Sequence, residues 1–185
     1  MPFLPSLPED AGPPSIFARY PDMYAHWSAM SQVLMNGPSP LTSGERELLL
    51  AYAAGVGGCA FVYGAHAEVA YAWGIERGLI ERLVADPDAP GADPRFRPLL
   101  KLTARLVTDS ASVTEADVQR VLDAGWDEHA VHDVVAIAAR AAFMQRLVHG
   151  MGFVPLSPDV ARSRAQKRVE LGYVDLYAGP TGDHP

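Results

Sequence analysis

The sequence predicts an all-α protein of about seven to eight helices. Three observations carry that expectation. Apolar residues recur three and four apart, as at Leu99, Leu102 and Leu106 and again from Val131 to Leu147. Capping residues stand at the heads of such segments (Thr42, Thr114, Asp127), and glycine or proline stands near their ends. No stretch alternates apolar and polar residues as a half-buried strand would.

Each element has its own warrant. Residues 1–14 hold five prolines and little periodicity, so they read as an extended arm on a neighbour or on the domain surface. A helix is expected from Pro21-Asp22 to Met35, with Tyr24 and Trp27 on one face and Asn36-Gly37-Pro38 as its stop. Thr42 and Glu45 form a T-x-x-E capping box for the next helix. That helix is apolar nearly all round through Leu48–Ala54, which makes it central, and it fails at Gly55-Val56-Gly57-Gly58. Another opens near Cys59 and ends near Gly74. Leu79 to Ala85 is a short helix, Asp86 to Pro94 a proline-rich loop, and Arg95 to Thr108 a helix that tolerates Pro98 in its first turn. Thr114 caps a segment to Ala124, and Asp127 caps a long helix to Gly150. Asp159 to Leu171 is a polar helix. The expected organisation is an arm (1–14), one helical domain (15–175) with its core motif at 41–74, and a mobile tail (176–185).

Bulk properties narrow the function classes. A chain of 185 residues suits one domain, and 49% apolar with 20% charged residues is ordinary for a soluble globular protein. A formal charge of -7, with basic residues scattered, argues against nucleic acid or an anionic membrane as partner. A single cysteine excludes an internal disulfide framework and a C-x-x-C metal knuckle, and it fits a cytoplasmic setting. The N-terminus lacks the basic and apolar regions of a secretory signal. Leu48 to Ala65 carries no formal charge and approaches membrane-spanning length, but Gly55, Gly57 and Gly58 interrupt it, so two buried helices are expected instead.

The chemistry concentrates in Gly58-Cys59-Ala60-Phe61-Val62-Tyr63-Gly64-Ala65-His66. On a helix, Cys59, Val62 and His66 share a stripe that rises about 10 Å from first to last. Cys59 in the first turn meets free amides and the helix dipole, which favour a thiolate; as a packed hydrophobe it would be inert. Glu47, at the head of a buried helix and outside the capping box, needs a partner for its charge. Phe61, Val62 and Tyr63 are expected to line the pocket. His129 and His132 have ligand-like spacing, but they cluster with acidic residues at a helix start, so no metal site is expected. There is no phosphate loop, G-x-S-x-G or dinucleotide fingerprint.

Glu47, then eleven residues, then Cys59 and His66 resemble the core motif of the AhpD-like alkylhydroperoxidase and carboxymuconolactone decarboxylase superfamily, Glu-x11-C-x-x-C-x-x-x-H. Asp127 to Phe153 resembles the second helical half of its peroxidase-related members, with Gln145-Arg146 where those often carry Asn-Arg. The resemblance spans roughly residues 20–172. It implies an AhpD-like helical fold, homo-oligomers and no cofactor, with Cys59, His66 and Glu47 as catalytic residues. Val62, however, occupies the second cysteine position, so the dithiol cycle of the family is impossible within this chain. A cysteine four residues before a histidine shares its proton directly; Cys59, seven before His66, needs a bridging water or substrate.

Three functions follow. The leading one is a one-cysteine antioxidant of peroxiredoxin type: Cys59 is oxidised by a hydroperoxide, Glu47 tunes His66, and an external thiol resolves the sulfenic acid. The second is a lyase or isomerase in which His66 and Glu47 do acid–base work on a small carboxylate held by Arg46 or Arg146. The third is a non-catalytic member that keeps the scaffold.

Overall fold

The computed structural model describes residues 1–176, and among these there are nine α-helices, two 3₁₀ turns (Pro94–Phe96 and Ser110–Ser112) and no strand. The helices are α1 Pro13–Arg19, α2 Pro21–Asn36, α3 Ser43–Val56, α4 Ala60–Ala72, α5 Leu79–Ala85, α6 Arg97–Asp109, α7 Glu115–Asp123, α8 Glu128–Gly150 and α9 Pro158–Leu171. The helix the sequence reading lacks is α1. Pro13 and Pro14 lead it, where their missing N–H groups cost nothing, and Ile16 and Phe17 bury its inner face.

Helix α3 is the axis of the fold. Every residue from Leu48 to Ala54 is at most 3% exposed, because α2, α4, α5, α6 and α8 pack around it. Its capping box forms in full. Thr42 Oγ1 accepts from the Glu45 amide at 3.2 Å, and the Glu45 carboxylate accepts from the Thr42 amide at 2.7 Å. Asp117 plays the same part for Thr114 at the head of α7, and Asp127 caps α8 through the Ala130 amide at 2.9 Å.

The expected arm lies on its own domain. The Phe3 amide donates to the Met151 carbonyl at 2.9 Å, and Leu4 and Leu7 pack against the core. The expectation of a mobile tail falls, beyond Leu176, outside the described residues. No described helix is long and apolar enough to cross a membrane.

Candidate active site

The joint between α3 and α4 is a Schellman closure. The Cys59 amide donates to the Ala54 carbonyl at 2.9 Å and the Gly58 amide to the Gly55 carbonyl at 3.1 Å, while Gly58 takes φ +69°, which favours glycine. This turn folds α4 back along α3, and it brings His66 against Glu47 across 19 residues of sequence.

The two side chains are buried together. His66 Nδ1 lies 2.7 Å from Glu47 Oε2, and the Tyr173 hydroxyl donates to Glu47 Oε1 at 2.5 Å. Arg168 Nη1 points at His66 Nε2 from 3.5 Å. An arginine only donates, so Nε2 carries the lone pair and the ring proton sits on Nδ1, facing the carboxylate. Burial would push the Glu47 carboxyl up. Against it act the charge and hydrogen bond of His66, the charge of Arg168 and the Tyr173 hydroxyl, and together they hold Glu47 below its ordinary value. Burial pulls His66 down to about 4; Glu47 opposes this, and the charges of Arg168 and Arg140 add to it. At neutral pH the site therefore holds a carboxylate, a neutral imidazole and an un-ionised phenol, whose own pKa burial and Glu47 both raise.

His66 opens onto a cavity of about 300 Å³. Its lining combines apolar and aromatic side chains (Phe17, Trp27, Phe61, Val62, Val69 and Met144) with Arg140, Arg168 and Tyr173, and Arg164 and Lys167 are exposed on α9. Tyr173 sits in the turn after α9, where its amide donates to Gln32 Oε1 at 2.7 Å. The guanidinium groups of Arg140 and Arg168 both lie over its ring, at 4.7 and 4.8 Å.

The structure groups the expected site residues differently from the one-stripe reading. Glu47 and His66 meet, and Phe61 and Val62 line their cavity. Cys59 does not. It is the N-cap of α4, with extended backbone (φ -100°, ψ 90°), so its side chain leaves the helical stripe. It faces a separate cleft with Tyr63, Glu81 and Val84 and is 1% exposed. Burial pushes its thiol up, and the amides of Val62 and Phe61 oppose this without winning. Tyr63 belongs to that cleft too, with its hydroxyl pushed up to about 12, chiefly by burial. Neither of the arginines expected to hold a carboxylate reaches the cavity. Arg46 is buried against the carbonyls of Leu34 and Gly37, both at 2.9 Å, and Arg146 bonds the Ala142 carbonyl of its own helix at 3.0 Å.

The sequence reading missed Arg140, Arg168 and Tyr173. Arg140 had a signal: a lone charge in the apolar run Val134–Met144 obeys the argument that singled out Glu47. Arg168 continues the spacing of Ala161 and Ala165, the small residues buried on the inner face of α9. Among the described residues no group of three or more His, Cys, Asp or Glu is placed to hold a metal ion. His129 and His132 instead approach Asp133, at 3.6 and 3.1 Å.

Two solved structures share the fold. One is an uncharacterized peroxidase-related protein from Silicibacter sp. TM1040, 22% identical, with 78% of this chain on 75% of that one and a TM-score of 0.72. The other is an alkylhydroperoxidase AhpD core, an uncharacterized peroxidase-related protein from Ralstonia eutropha JMP134, also 22% identical, with 80% of this chain on 78% of that one and a TM-score of 0.72. No family model matches the sequence, and no curated protein matches it. The fold is therefore the all-helical AhpD-like one.

The buried pair makes stability depend on acid. An unfolded histidine takes its proton as pH falls through about 6.5, whereas folded His66 refuses it until about 4. The contribution is complete above 6.5 and lost on the way down to 4, and it amounts to about 3 kcal/mol. Glu47, also depressed, extends the loss below 4.5. Thermal melts should fall by roughly 6–12 °C between pH 7 and pH 4 from this pair. A melting curve just as acid-sensitive in His66→Gln would show that the pair is not the cause.

Proposed function

We propose that the chain is an acid–base enzyme, a lyase or isomerase that moves a proton on a small carboxylate substrate, with His66 as general base. One observation carries this reading: Glu47 holds Nδ1 of a neutral imidazole in the cavity lining, which leaves Nε2, faced only by the long 3.5 Å contact of Arg168, as the nitrogen that takes a proton once a substrate anion draws that arginine away. In this arrangement His66 takes a C–H proton at Nε2 and becomes an imidazolium. Glu47 stabilises that cation through the short Nδ1–H bond, and Tyr173 keeps the carboxylate turned toward it. The proton then returns to a second position of the substrate or to its leaving group. The Arg168 charge lies where negative charge builds up on the substrate. Val62 supplies apolar wall at the point where a thiol would compete for His66.

The hydroperoxide reading keeps two supports: the names of the fold neighbours and the position of Cys59 at a helix start. Against it stand a raised thiol pKa and a cleft separate from the His66 cavity. One experiment separates the two. The protein is incubated in D₂O with small unsaturated and lactone carboxylic acids, and deuterium uptake is followed by NMR. At least one acid should exchange, with a rate that drops on the order of 10²–10⁴-fold in His66→Gln. In parallel, Cys59 sulfenate formation with cumene hydroperoxide should be no faster than for a free thiol. No exchange in any acid, with fast sulfenate formation that depends on His66 and Glu47, would establish the peroxidase instead.

A further inference from the structure

Arg140 is 5% exposed and lines the cavity beside His66. Its guanidinium is fixed on three sides. Nε donates to Ser31 Oγ at 3.1 Å, and the group lies 4.7 Å from the Tyr173 ring and 5.7 Å from the Trp27 ring. Aromatic surfaces of this kind take up guanidinium faces and leave the N–H edge to find its own partner. Among the described residues it finds none for Nη1, which is buried without a hydrogen-bond acceptor. No carboxylate pairs with Arg140 among the described residues, since Glu47 is engaged by His66 and Tyr173. A buried, always-charged donor without an acceptor is costly and calls for an anion.

The rest of the wall limits what that anion is attached to. Phe61, Val62 and Val69 offer no side-chain donor or acceptor and Met144 only a weak thioether acceptor, while of the polar groups in the lining His66 and Tyr173 are already engaged at Glu47 and Ser31 at Arg140. A ligand body rich in hydroxyl groups would lose its hydration there without replacement, whereas a flat apolar body would gain from burial.

We propose that the Nη edge of Arg140 is the carboxylate seat of this cavity, and that its ligand is a monocarboxylate with a planar, apolar body. The assignment rests on the general-base reading only in taking this cavity as the reaction chamber; the seat itself is a binding site and is tested by binding.

The probe is phenylacetate, titrated calorimetrically at neutral pH against phenylacetamide, which has the same shape without the charge, and malate, which has charge without an apolar body. Phenylacetate should bind, and the other two at least about tenfold more weakly. Arg140→Gln should weaken phenylacetate by about 10- to 100-fold, the range of a lost charge-assisted pair. Arg140→Lys, which lacks the planar fork, should recover only part of that. His66→Gln should bind phenylacetate within a few-fold of wild type. Equal binding of phenylacetate and phenylacetamide to the wild-type protein would overturn the seat, even if both Arg140 variants failed to fold. So would undiminished binding to folded Arg140→Gln. Binding through Arg140 with no proton exchange in any acid would leave the seat standing and remove the base.

Discussion

Glu47→Gln should lower the deuterium-exchange rate by about 10²–10⁴-fold while leaving phenylacetate binding within a few-fold. The carboxylate accepts from two donors, His66 Nδ1–H and the Tyr173 hydroxyl. A carboxamide offers one oxygen and one NH₂, so one of the two donors must turn away or reverse. If the NH₂ faces His66, the imidazole proton moves to Nε2, and the base is lost to the cavity. If it faces Tyr173, the imidazolium formed in the reaction no longer has an opposing charge. The substitution should also destabilise the fold by about 3 kcal/mol, because it removes the buried negative charge that faces Arg168. Exchange kinetics and thermal melts read the two effects separately. A variant that melts lower but exchanges at the wild-type rate would reduce Glu47 to a structural residue.

The second large effect is a gain. Val62→Cys should create a thiol on the cavity wall one helical turn before His66, where imidazole and thiol can share a proton. The side chains are close in volume, so the stability cost should stay below about 1.5 kcal/mol. Sulfenate formation with cumene hydroperoxide, followed by intact mass with a sulfenate trap, should rise at least about tenfold over wild type. The rise should vanish when His66→Ala is added. A new thiol as inert as Cys59 would mean that His66, held down to about 4 by burial, cannot accept its proton, and that acid–base tuning rather than a missing sulfur sets the chemistry of this cavity.

How much of this was legible in the sequence differs from element to element. The eight helices from Pro21 onward were readable because their caps and stops are local: the Thr42–Glu45 box, Asp127, and the glycine joint all act within a few residues. Helix α1 was hidden because its prolines resemble an arm, although proline at a helix start is compatible with a helix. Glu47 and His66 announced themselves as polar groups in apolar helices. Cys59 lies off the stripe that its spacing predicts, because its extended backbone does not join the helical lattice. The basic wall was out of reach of local pattern. Tyr173 meets Glu47 across 126 residues, and Arg140 meets Ser31 across 109. Only the packing of α8 and α9 decides which of fifteen basic residues turn inward.

That difference in range divides the molecule into two inheritable parts. The proton-handling pair lies within one helical hairpin, 19 residues apart and closed by a two-glycine turn. The cationic groups that would seat a ligand's charge arrive from α8 and α9. Substitutions at Arg140, Arg164 or Met144 can therefore alter what is admitted without touching the hairpin, and the hairpin can pass unchanged through a change of diet. A scaffold so partitioned is free to diversify its substrates faster than its chemistry.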